Sequence, residues 1–156
     1  MKIKTALCRT ISDDINTLSL DTIEIPAPGR DQVQIRIKAC AVNFPDILMI
    51  QGKYQFKPQL PFAPGGEFAG DIIAIGNAVT GFKVGDRVVG SDRSGGFAEA
   101  INLNPSQLKH IPGDLSYAKA ATYSTAYLTA FVALTIRGNL QAGETLLVHG
   151  ATGGVG

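Results

Sequence analysis

The most readable chemistry lies in the last six residues, Ala-Thr-Gly-Gly-Val-Gly at 151–156, two residues after the apolar run Leu146-Leu147-Val148. Ala151, Gly153 and Gly156 hold the three key positions of a G-x-G-x-x-G pattern, with alanine in the first, and Gly154 and Val155 complete it. A tight glycine turn behind a strand lets backbone N–H groups approach a pyrophosphate, and the N-terminus of a following helix favours its charge. The pattern is weak alone and gains from the apolar run before it. A plain glycine loop is the other reading of the same letters. The following helix, and a residue about 20 positions on that reads the ribose, would both lie past residue 156. Metal chemistry has little to build on. Cys8 and Cys40 are the only cysteines, and His110 and His149 have no partner at metal-ligand spacing.

The elements that would carry these residues are mainly β. Eighteen glycines and eight prolines in 156 residues suggest a turn-rich body, and 45% hydrophobic residues suffice for a real core. Strands are expected near 3–9, 17–25 and 32–43. In the last of these Val33, Ile35, Ile37 and Ala39 share one face, and Gln34, Arg36 and Lys38 the other. Pro45 and Gly52 bracket a short helix, and the proline-rich stretch to Gly66 reads as a loop. Further strands are expected in EFAGDIIAIG, DRVVGSD and GGFAEAINLN, and a helix from DLSYAKAA with Asp114 or Ser116 as cap. Residues 144–149 read as a strand buried on both faces. The composition shifts near residue 110.

A net charge of +1 gives no case for nucleic acid or an anionic membrane. The uncharged run 120–136 holds two tyrosines and four threonines and is short for a span, so a buried amphipathic helix is expected there. No signal peptide is legible at the start, so a cytoplasmic protein with reduced thiols is expected.

Taken in order, ACAVNFPDILMIQGKY, PFAPGGEFAGDIIAIG, VGDRVVG, GGFAEA, AATYSTAYLTAF and LLVHGATGGVG resemble the medium-chain dehydrogenase/reductase superfamily, and within it the zinc-free NADPH:quinone oxidoreductase branch. The resemblance runs over nearly the whole chain and implies a GroES-like β-barrel catalytic domain over 1–115. It implies that 116–156 is a linking helix and the first strand and turn of a Rossmann domain, with the active site between the two. NADPH is the implied cofactor, NADH being open, and a small quinone or enone the implied acceptor. The parent protein would be a homodimer. A piece ending at 156 would lack most of the cofactor site, be inactive as it stands and self-associate through its last strand.

The resemblance also frames the metal question. Zinc-dependent relatives carry cysteine at the position matching Asn43 and histidine at the position matching Gly66. Asparagine and glycine supply neither thiolate nor imidazole, so no zinc is expected. Hydride addition to a conjugated carbonyl builds negative charge on oxygen, which a hydrogen-bond donor in a dry cleft stabilises. The resemblance places the Asn43 amide and the Tyr54 phenol in that cleft and Thr129 beside the nicotinamide. Each has a plainer reading: Asn43 as a helix N-cap, Tyr54 as packing, Thr129 bonded to its own helix. Asp46 would complement the helix dipole, and Glu67 would make a structural hydrogen bond. Related enoyl-thioester reductases use the tyrosine matching Tyr54 as proton donor, so enoyl reduction is the alternative activity. A non-catalytic barrel fragment is the alternative of another class.

Overall fold

The computed structural model describes residues 1–156. Seven strands make two antiparallel sheets. β1 (Lys2–Cys8) and β2 (Leu18–Glu24) form a two-stranded ribbon. β3 (Val33–Cys40), β4 (Glu67–Ile75), β5 (Arg87–Ser91), β6 (Ala100–Leu103) and β7 (Leu108–His110) form a five-stranded sheet in the order β6-β3-β4-β5-β7. Single bridges, Thr5 to Ala98 and Cys8 to Phe62, tie the ribbon to the loops of the larger sheet.

Alternation along the strands builds the core. Val33 and Ile35 on β3, Phe68 and Ile72 on β4, Val88 on β5, Leu103 on β6 and Leu108 on β7 form one buried cluster. Gln34, expected on the outer face, is buried too. Its amide nitrogen donates to Pro26 O and to Asn102 Oδ1, both at 3.0 Å, so its burial leaves no orphan polar group. β7 was not expected from the sequence, because three residues are too few to show a period.

Helix α1 (Phe44–Ile50) lies where Pro45 and Gly52 bracket it. Gly52 has φ +67°, and its N–H closes the helix on Met49 O. Its inner face sets Met49 and Ile50 against Cys8 and Phe62. Helix α2 (Tyr117–Ala121) starts at Ser116, whose hydroxyl accepts from Lys119 N–H; of the two expected caps it is Ser116 that serves.

Two expectations fail. Residues 120–136 are largely helical, but only Ala120 and Ala121 are buried. After α2 the chain runs through π-type turns at Tyr123–Tyr127 and Val132–Arg137 around α3 (Leu128–Phe131). Ala120 and Ala121 pack on the sheet, whereas Tyr127 is 66% exposed and Leu128, Phe131 and Ile136 stand open. An amphipathic helix is buried only where an element covers its apolar face; the sheet covers Ala120 and Ala121 and is tied to Ser124 and Thr125, and beyond these the apolar side chains stay open. Residues 144–149 do not form a strand at all, and Leu147 is 76% exposed. A strand exists through ladder bonds to a neighbour, and no other segment offers one there. The single chain forms no strand edge at 144–149.

Candidate functional site

Three elements converge on one point. The loop after β3 brings Asn43, the start of β4 brings Glu67, and the first π-type turn brings Ser124 and Thr125. Glu67 is buried, 1% exposed. Its Oε1 accepts from the Ser124 N–H, and its two oxygens accept from the Thr125 N–H at 3.2 and 3.3 Å. Asn43 Nδ2 donates to Glu67 Oε2 and to Thr125 Oγ1, both at 3.4 Å. The carboxyl group thus ties the sheet to the helical arm, which is the structural bond expected of it.

Asp46 fixes the other side. One oxygen accepts the Asn43 N–H at 2.8 Å and the other accepts the Gly65 N–H at 3.0 Å, so it anchors α1 and the β4 entry as well as facing the helix dipole. Gly65 reaches it with φ +94°, and a Cβ there would lie 2.7 Å from Phe97 N. Farther along, the helical arm is seated by Tyr117, whose hydroxyl donates to Asp71, and by Arg87 over the Tyr117 ring at 4.6 Å. The Asp71 bond raises the Tyr117 pKa.

These ties frame a cleft of about 750 Å³. Asn43 and Tyr54 both line it, with Gln55, Phe56, Arg93 and Thr125. Tyr54 packs against the cluster of Cys8, Met49, Ile50 and Phe62, so the packing reading describes its ring. Its hydroxyl makes no hydrogen bond within the chain. Asn43 is the N-cap of α1, in a capping box with Asp46, as its plainer reading has it, and its amide nitrogen is turned to Glu67 and Thr125. Arg93 sits 4.9 Å from the centre of the Phe56 ring. The convergence of Ser124, Thr125 and Arg93 was not legible in the sequence. They lie 37 to 82 residues from their partners, and no short motif spans such a gap.

The remaining candidates lie elsewhere. Thr129 is exposed on the helical arm and does not line the cleft. Ala151, Gly153, Gly154, Val155 and Gly156 form an exposed turn. Gly153 N–H bonds back to Gly150 O at 3.2 Å, while the N–H groups of Gly154, Val155 and Gly156 have no partner in the chain.

Both cysteines are free. Burial, with the nearby Asp46 carboxylate, pushes the Cys40 thiol from the usual 9.0 up to about 12, and burial raises Cys8 as well. The native chain is expected to react only slowly with a disulfide reagent at pH 8, and both thiols rapidly in urea. A fast native thiol, measured by thionitrobenzoate release, would contradict this burial. The sign for stability follows. An unfolded chain gives up the Cys40 proton near 9.0 and the native chain holds it to about 12, so this group's stabilisation falls across that interval.

Comparison with known proteins places the chain in a family. Residues 29–113 match the family described as the alcohol dehydrogenase GroES-like domain. The chain is 43% identical over 129 residues to the quinone oxidoreductase-like protein 2 homolog of Nematostella vectensis, covering 82% of this chain and 35% of the relative. It is 44% identical over 131 residues to the human synaptic vesicle membrane protein VAT-1 homolog, covering 84% and 33%. Among solved structures it superposes on a quinone oxidoreductase of Pseudomonas syringae pv. tomato with TM-score 0.89 at 34% identity, covering 98% of this chain and 47% of that one. For the CurK enoyl reductase the TM-score is 0.82 at 27% identity, covering 99% and 48%. The chain therefore spans roughly a third of these curated relatives and about half of the solved chains. The matched residues include the elements that carry Asn43 and Tyr54, and the chain belongs to the alcohol dehydrogenase GroES-like domain family, in the quinone oxidoreductase branch of the medium-chain dehydrogenases/reductases.

Proposed function

We propose that this chain supplies the acceptor half of an NADPH-dependent, zinc-independent reductase of quinones and similar conjugated carbonyls. The observation that carries the reading is the cleft lined by Tyr54 and Asn43, with the Tyr54 hydroxyl uncommitted. In that role Tyr54 donates to the acceptor oxygen as charge builds there, and Asn43 orients the acceptor from the same cleft. NADH stands as the second cofactor choice, and the cytoplasm as the compartment. No helix is long and apolar enough to cross a membrane.

Residues 116–156 are assigned, within this reading, to the linker and opening turn of a nucleotide-binding domain, with 1–115 as the catalytic domain. A nicotinamide cofactor supplies the hydride when bound. Gly154, Val155 and Gly156 present free N–H groups, and a Cβ at Gly154 would meet nothing within 4 Å, so the turn has both donors and room for a pyrophosphate. Thr129 would reach the nicotinamide end. The turn of the 156-residue chain is exposed on all sides, so this chain alone is expected to bind NADPH weakly and to be inactive. Ordering a free backbone costs roughly 1–2 kcal/mol per residue.

Zinc independence rests on chemistry at two positions. Asn43 offers no thiolate. Gly66 offers no side chain, and a Cβ there would already lie 3.1 Å from Asp92 O. No three His, Cys, Asp or Glu side chains converge as a metal site. Elemental analysis after purification without chelator is expected to find no stoichiometric zinc; one zinc per chain would overturn this part. Enoyl-thioester reduction is the second reading, favoured by the match to the CurK enoyl reductase and by the same Tyr54 donor. The acceptor site is tested by titrating isotope-labelled chain with 1,4-naphthoquinone. Amide shifts should centre on Asn43, Tyr54 and Thr125, and shifts confined to other surfaces would sink the assignment.

A further inference from the structure

The geometry points to Arg93 as a specificity-determining residue, one that selects an acceptor carrying its own negative charge. Within the reading of the cleft given above, on which this rests, the substrate class narrows to a planar conjugated carbonyl that bears a carboxylate or a similar anionic group.

Arg93 is the one cation among the residues that line the cleft. Its charge has no partner inside the chain. The ion pairs of the molecule join Arg9 to Asp21, Lys38 to Asp71, Lys53 to Asp13 and His110 to Asp86, and Arg93 enters none of them. Asp92 stands next to it in sequence, yet the Asp92 carboxylate accepts the Arg93 backbone N–H at 2.7 Å rather than pairing with the guanidinium. The second acid of the cleft, Asp46, is buried and has both oxygens engaged by the Asn43 and Gly65 N–H groups.

The guanidinium is nevertheless seated. Its central carbon lies 4.9 Å from the centre of the Phe56 ring, a cation–π contact. Phe56 packs in turn on the cluster of Cys8, Met49, Ile50 and Phe62, and Tyr54 packs on the same cluster. One patch of core thus supports both the ring under the cation and the ring that carries the phenol. A guanidinium resting on a ring keeps N–H donors for a carboxylate, whose two oxygens match their fork. The cleft therefore offers two handles of different kind. The Tyr54 O–H suits a carbonyl oxygen, which gains charge only as the reaction proceeds, and the Arg93 fork suits a group charged from the start. An ion pair made equally in the ground state and the transition state acts on binding, so Arg93 sorts acceptors without entering the chemistry.

Chromone-2-carboxylate and chromone-2-carboxamide are planar conjugated carbonyls of closely similar shape that differ in charge and need no cofactor to bind. Each is titrated into the isotope-labelled 156-residue chain, and the backbone amides and the Arg93 side-chain Nε–H are followed. The wild type is expected to bind the carboxylate roughly 2- to 5-fold more tightly, the size of a partly exposed ion pair, with the Arg93 Nε–H moving for the carboxylate alone. High salt should shrink the preference. Arg93→Gln should erase it and leave the carboxamide affinity unchanged. Arg93→Lys should keep part of it, because the charge remains and the fork is lost. The Arg93 side chain makes no ion pair within the fold, so both variants are expected to fold, and the salt dependence and Nε–H signal of the wild type test the role of Arg93 without any variant. Shifts at Asn43, Tyr54 and Thr125 with equal affinity for the two ligands, or a carboxylate preference that survives Arg93→Gln, overturn the role of Arg93 and leave the cleft assignment standing. No shift at any of these residues with either ligand overturns both.

Discussion

In a full-length protein carrying this chain, Tyr54→Phe is expected to lower kcat for quinone reduction by about 10²-fold, the usual effect of losing one positioned donor or acid. KM for the quinone should move little. Phenylalanine keeps the ring that packs against Met49, Ile50 and Phe62, so the cleft retains its shape. What is lost is a single O–H, and that O–H matters most once charge has developed on the acceptor oxygen. An interaction realised in the transition state shows in kcat, whereas one made equally in the ground state shows in KM. Steady-state kinetics of the two proteins with one quinone decide the matter. An unchanged kcat would reduce Tyr54 to a packing residue.

Phe68→Ala is expected to cost about 3–5 kcal/mol of stability, the range for truncating a buried aromatic ring. Phe68 is fully buried at the centre of the five-stranded sheet, among Val33, Ile35, Val88 and Leu108. Its ring occupies space that two glycines leave open: a Cβ at Gly90 or at Gly96 would lie 2.9 Å from a ring carbon. Those neighbours belong to hydrogen-bonded strands and a tight loop, which limits collapse into the cavity. Against a total of about 5–15 kcal/mol for a domain, the variant should unfold at much lower urea. A loss below about 1 kcal/mol, measured by urea unfolding with an unchanged m-value, would show that the core is placed wrongly.

The parts of the fold that were legible share one property: their burial is decided within the stretch that was read. Val33, Ile35 and Ile37 alternate because β3 lies between β4 and β6 with one face on the core. Helix α1 carries its own start in Pro45 and its own stop in Gly52. The misplaced parts depend on a neighbour elsewhere. Leu146, Leu147 and Val148 have strand chemistry without a strand to pair, and Tyr127 and Phe131 have core chemistry without a covering layer. At the site, Asn43 and Tyr54, two of the three residues taken from the family resemblance, line one cleft, and the third, Thr129, stands outside it. The direction of the Asn43 amide could not be read, since it is set by Glu67 and Thr125 from two other elements. Gln34 makes the same point from the core: a polar residue is buried because Asn102 and Pro26 meet it.

The central claim is that this cleft receives a conjugated carbonyl for reduction without zinc. Its most direct test is NADPH oxidation by the full-length, chelator-treated protein, with a naphthoquinone and an enoyl thioester as competing acceptors. The account predicts turnover undiminished by chelation and a higher kcat/KM for the quinone. Activity that disappears with the chelator and returns with zinc, or reduction of the enoyl thioester with no quinone turnover, would contradict it.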